Sequence, residues 1–103
     1  MAEPPTYYAV IRERGPRWDP ARPLREQEEW DLHASFMDGL AEEGVILRGG
    51  PLGGDDGALH IFAASGPEEI ERRLAADPWE GTMLRNARIA RWQILLRAAG
   101  TSI

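Results

Sequence analysis

The chain has 103 residues, the length of a single domain, and a formal charge of −5. All twelve of its cationic side chains are arginine, and it contains no cysteine. This excludes a disulfide framework, a thiolate metal site, a cysteine nucleophile, a Schiff-base lysine and a phosphate-loop lysine. Nucleic-acid phosphates demand concentrated positive charge, and no basic cluster is present. No apolar run approaches the roughly 20 residues of a membrane span. The opening "MAEPPT" lacks the basic and apolar regions of a signal peptide. A soluble, cytoplasmic protein that contacts neither nucleic acid nor membrane is expected.

"TYYAVIRE" (6–13) is rich in β-branched and aromatic residues and predicts a first strand. "RGPRWDPARP" (14–23) holds three prolines and a glycine, which predicts a long loop carrying Trp18. That loop is either simply anchored by its tryptophan or a flap over a pocket. Trp30, His33, Ala34, Met37, Leu40 and Ala41 recur at helical spacing, so a helix is expected from about Leu24 to Glu43, stopped by Gly44. "VILRGG" (45–50) predicts a short strand and "GGPLGGDDG" (49–57) a hairpin turn, without the spacing of a phosphate or calcium loop. "ALHIFAAS" (58–65) predicts a third strand. Ser65 is expected to cap a second helix over 67–77, with Pro67 in its first turn and Glu68 as reciprocal partner. After the irregular "DPWEGTML" (77–84), "RNARIARWQILL" (85–96) predicts a final strand, and 97–103 form a tail.

The order is β-α-β-β-α-β, which predicts an α+β, ferredoxin-like fold: a four-stranded antiparallel sheet with two helices on one face. The core spans about residues 6–96 of one domain covering 1–103. Both faces of the strands carry apolar residues: Leu59 and Ile61 on one side of the third strand, His60 and Phe62 on the other. The face that two helices leave open needs a partner, and a homodimer through that face is the economical expectation. His60, beside Phe62, is expected to pack at or near it.

Three stretches carry a family resemblance. The first is "HASFMDGLAEEGVILRGGPL", with His33 on a helix, the Glu43–Gly44 stop, a short strand and the Gly50–Pro51 turn. The second is "AADPWEG", an Asp-Pro-aromatic motif at Asp77, Pro78 and Trp79. The third is "RIARWQ", in which Arg91 precedes Trp92 without the intervening proline common in the family. Together they resemble the YCII-related family across about residues 6–96. The resemblance implies a dimeric α+β barrel of ferredoxin-like subunits. It also implies an active-site pair of His33 and Asp77, in a family where some relatives look like lyases or dehydrochlorinases of ring compounds.

Histidine suits such a role because its ordinary pKa, about 6.5, lets it take and return a proton near neutral pH. A carboxylate on one ring nitrogen would orient it and leave the other as the reacting base. Glu29, one helical turn before His33, competes as its partner in a solvated ion pair. Asp77, before a proline, also reads as an ordinary turn residue. Tyr8, Trp30 and Trp79 are candidates to line a small-molecule site, and Arg48 or Arg91 to meet an anionic substrate. His33 and His60 have no spacing that suggests a metal site, and no cofactor is expected. No serine lies in a nucleophile elbow, so proton-transfer chemistry of an isomerase, lyase or dehydrochlorinase is the enzymatic reading. The alternative is a non-catalytic dimeric module that binds a ligand or a protein partner, with His33 packed as a core residue.

Overall fold

The computed structural model describes residues 6–54, 57–101 and 103. Strand β1 (Thr6–Arg14) is central: it pairs antiparallel with β3 (Ala58–Ala64) on one side and with β4 (Leu84–Trp92) on the other. β2 (Ile46–Pro51) pairs with β3 at the edge, so the sheet order is β2-β3-β1-β4. Helices α1 (Trp30–Glu42) and α2 (Pro67–Leu74) complete the ferredoxin-like βαββαβ order expected from the sequence. Asp55 and Asp56 of the β2–β3 turn lie outside the described residues. The turn's flanks are joined by the Leu52 N–H to the Gly57 carbonyl at 2.8 Å.

Strand register sorts the side chains into two faces, because neighbours along a strand point oppositely and paired residues share a side. Tyr8 opposes Phe62, Val10 opposes both His60 and Ile89, and Ile46 opposes Phe62. This set packs with Leu40 of α1 and with Ile70 and Leu74 of α2 into the main core. The expectation that His60 sits near the open face is therefore corrected: it lies under the helices, 8% exposed. The opposite face carries Tyr7, Ala9 and Ile11 against Ala63, Ile61 and Leu59, with Trp92 beside Tyr7. Neither helix contributes to it.

Three boundaries differ from the sequence expectation, each for a local reason. α1 begins at Trp30, not Leu24, and a single 3-10 turn (Leu24–Glu26) precedes it. The interruption comes from Gln27, whose side-chain amide donates to the carbonyls of Asp19 (2.7 Å) and Arg22 (2.8 Å) and accepts from the Asp19 N–H (3.0 Å). Those bonds tie the proline-rich loop to this point, and Glu29 turns left-handed at φ 61° to restart the helix. α2 ends at Leu74 rather than at Asp77, and its N-cap is Gly66 rather than Ser65; Glu69, not Glu68, reaches back to accept from the Ser65 N–H (2.7 Å) and hydroxyl (2.6 Å). β4 ends at Trp92, opposite Tyr7 and one position from the start of β1, so residues 93–96 do not continue the pairing with β1.

Candidate functional site

α2 ends at Leu74, and the chain then turns sharply through Asp77 and Pro78. Proline restricts the residue before it to extended conformations, which stops the helix from continuing. The Asp77 side chain closes the turn by accepting the Trp79 N–H on Oδ1 at 3.0 Å, while its carbonyl accepts the Glu80 N–H at 3.0 Å. The carboxylate is thereby held inside the protein, with no side-chain exposure.

Two further groups meet it there. Nδ1 of His33, from the first turn of α1, lies 2.8 Å from Oδ1. Nη1 of Arg12, from β1, donates to Oδ2 at 2.7 Å. Arg12 is wholly buried, and its Nη2 continues to Glu80 Oε2 at 2.9 Å. Arginine is permanently charged, so this wholly buried cation is balanced by carboxylates on both sides. Burial pulls the pKa of Asp77 upward, but the hydrogen bonds from His33, the Trp79 N–H and Arg12 outweigh it and hold the carboxyl below its ordinary range. An ionised carboxylate only accepts, so geometry assigns the proton to Nδ1 of His33. Nε2 is then the ring nitrogen left for chemistry.

Aromatic packing fixes the imidazole plane. The His33 ring stacks on Trp79 with centroids 4.0 Å apart and planes 7° from parallel. Trp79 is fully buried, and its indole N–H donates to the Glu28 carbonyl at 2.7 Å. Trp30 stands 5.8 Å from both rings, and Trp18, from the proline-rich loop, meets Trp79 edge-on at 5.7 Å. Glu29, the competing partner, meets His33 through the backbone: its carbonyl accepts the His33 N–H at 3.1 Å, while the imidazole turns to Asp77.

His33 lines a cavity of about 510 Å³ bounded by the proline-rich loop, α1, β2 and β3. Of the residues singled out from sequence, Trp30, Arg48 and Trp79 also line it, as does Trp18. Tyr8 is not among the residues that line it; it pairs with Phe62 across the sheet and belongs to the main core. Arg48 reaches the cavity from the edge strand, but its register opposite Ile61 turns it to the open face, where its guanidinium lies 3.4 Å from the Ile103 backbone oxygen. Arg91 is exposed on β4.

Sequence reasoning missed Arg12 and Glu80 and misplaced His60. A signal for Arg12 existed: it follows Tyr8 and Val10 at period two, a charge at an inward position of an otherwise apolar strand. His60 also lines the cavity, and its buried Nδ1 has no hydrogen-bond partner among the described residues. Burial first, then the nearby Arg12 cation and His33, push its pKa down to about 4, so it is neutral at pH 7. Gly49 lies flat against its ring: a Cβ there would come within 2.4 Å of the His60 Cδ2.

Among the described residues, no group of three His, Asp or Glu side chains is placed to hold a metal ion, and no helix is long and apolar enough to cross a membrane. No family model, curated protein or solved structure matches this chain.

Proposed function

We propose that this chain is a YCII-like cytoplasmic enzyme that moves a proton on a small, partly apolar metabolite. His33 is the general base or acid, acting through Nε2, and Asp77 is the positioning residue that fixes its tautomer and stabilises the imidazolium. The observation that carries the reading is the 2.8 Å contact between His33 Nδ1 and an Asp77 carboxylate that is itself held by Arg12 and the Trp79 N–H. A base oriented from behind, one face stacked on Trp79, beside a cavity lined by tryptophans, suits isomerisation or elimination next to a carbonyl. The working unit in this reading is a homodimer formed through the open sheet face.

A second reading has its own support. Arg12 joins β1 to the turn holding both Asp77 and Glu80, so the same network also serves as a buried tie between sheet and loop. In that case the cavity binds a ligand without chemistry, or the dimer docks a protein partner.

The two readings separate by proton exchange. Small carbonyl compounds, incubated in heavy water with the protein, are followed by NMR for catalysed exchange of the hydrogen next to the carbonyl. The enzymatic reading expects exchange on some member of the panel, reduced about 10²- to 10⁴-fold in His33→Ala. Exchange that survives in His33→Ala, or its absence with wild type across the panel, favours the binding module.

A further inference from the structure

The chain as a whole is acidic, at −5, yet the charged residues that border the cavity have the opposite balance. Among the described lining residues the cationic side chains are Arg14, Arg25 and Arg48 and the carboxylate is Asp38. The two cavity histidines are not needed for this surplus; His60 is neutral at pH 7. The three arginines are not equivalent. Arg14 lays its guanidinium over Trp18, 4.7 Å from the ring centroid, and Arg48 is drawn to Ile103. Arg25 is exposed, rests 6.0 Å over Trp30, and pairs with no carboxylate among the described residues. Its charge is thus available at the rim, directly beside an aromatic wall formed by Trp18 and Trp30.

We infer that the cavity takes a small planar molecule bearing a carboxylate, with the apolar body against Trp30 and Trp18 and the anionic group read by Arg25. This rests on the reading that the cavity beside His33 is the functional site, and it names the class of molecule that site admits. A guanidinium pairs with a carboxylate through two parallel, charge-assisted hydrogen bonds, which a neutral amide of the same shape cannot reproduce. An indole wall provides the flat apolar contact that a ring or a conjugated chain needs. Among the described residues, a cationic or polyhydroxylated ligand would find neither a carboxylate cluster nor a matching set of polar side chains there.

The test uses matched pairs of probes: benzoate with benzamide, 1-naphthoate with 1-naphthamide, and trans-cinnamate with cinnamamide. Binding to the 103-residue chain is followed by amide chemical-shift changes in NMR titrations. At least one acid is expected to bind about tenfold more tightly than its amide, with shifts at Trp30 and Arg25. Arg25→Gln should bring acid and amide together, and Arg25→Lys should restore part of the difference, because the charge returns without the fork. Arg25 is exposed, so neither variant threatens the fold. A panel in which no acid outbinds its amide overturns the inference, as does a preference that persists unchanged in Arg25→Gln. His33→Ala separates this inference from the enzymatic reading: it should keep the preference for acids, whether or not it abolishes proton exchange.

Discussion

Arg12 and Asp77, 65 residues apart in sequence, meet at 2.7 Å with neither side chain exposed to solvent. The pair links the central strand to the turn that presents the carboxylate to His33. Breaking a buried pair from one side leaves the other charge without compensation, which costs more than the pair contributes net. Arg12→Met is therefore expected to destabilise the protein by about 3–5 kcal/mol in urea unfolding. Asp77→Asn should also destabilise, and the double variant by less than the sum of the two. Additive effects would show that the two residues are not coupled.

Acid should weaken the fold in two separate windows. The folded-state pKa of His60, about 4, lies below its ordinary value of 6.5. Between these values the unfolded chain binds a proton that the native state refuses, so stability falls as the pH drops through this range. The loss amounts to roughly 3 kcal/mol in total. Asp77 acts lower down. Its folded pKa is depressed, so its contribution is present above the unfolded value, about 3.9, and is lost as the pH falls through the folded one. Urea unfolding from pH 7.5 to 4.5 should show a positive slope of stability with pH that flattens in His60→Gln. An equal slope in that variant would remove His60 as its source.

Gly49 is held to its small size by His60 rather than by its backbone conformation. An added methyl would stand 2.4 Å from the Cδ2 of a ring that is itself buried. Gly49→Ala is expected to cost about 1–3 kcal/mol, as overpacking of a filled site does. Combining it with His60→Ala should recover part of that loss. If Gly49→Ala is neutral by chemical denaturation, the edge strand moves away from the ring more easily than the packing implies.

The sheet face opposite the helices makes the dimer testable. Tyr7, Ile11, Leu59 and Trp92 stand on it, and Trp92 remains 40% exposed. Sedimentation at micromolar concentration should give twice the 11.5 kDa chain mass. Trp92→Glu should shift the protein toward the single chain while its far-ultraviolet circular dichroism is unchanged. Wild type that sediments as a single chain would remove the dimer from the proposed function.

The element order was legible in the sequence because it depends on local patterns. Period-two strands, a helical stripe through Trp30, His33, Met37 and Leu40, and glycine and proline breaks are written within a few residues of each other. The same patterns located His33 on the inner side of α1 and Asp77 in a turn. What they could not contain was the start of α1, which depends on Gln27 bonding to a loop eight residues earlier. Nor could they assign the face on which His60 lies, since alternation gives two sides of a strand without saying which one the helices cover.

The residues that surround the candidate base were decided by tertiary structure alone. His33 and Asp77 are 44 positions apart, and Arg12 reaches the same carboxylate from the other end of the chain. Sequence by itself determined the β-α-β-β-α-β order, the absence of lysine and cysteine chemistry, and the presence of a histidine on the apolar side of α1. Only the folded chain decided that this histidine meets Asp77 rather than Glu29, and that Arg12 anchors the carboxylate from below. Local periodicity sets which way a side chain faces, but its partner is set by how β1, α1 and the turn after α2 pack together.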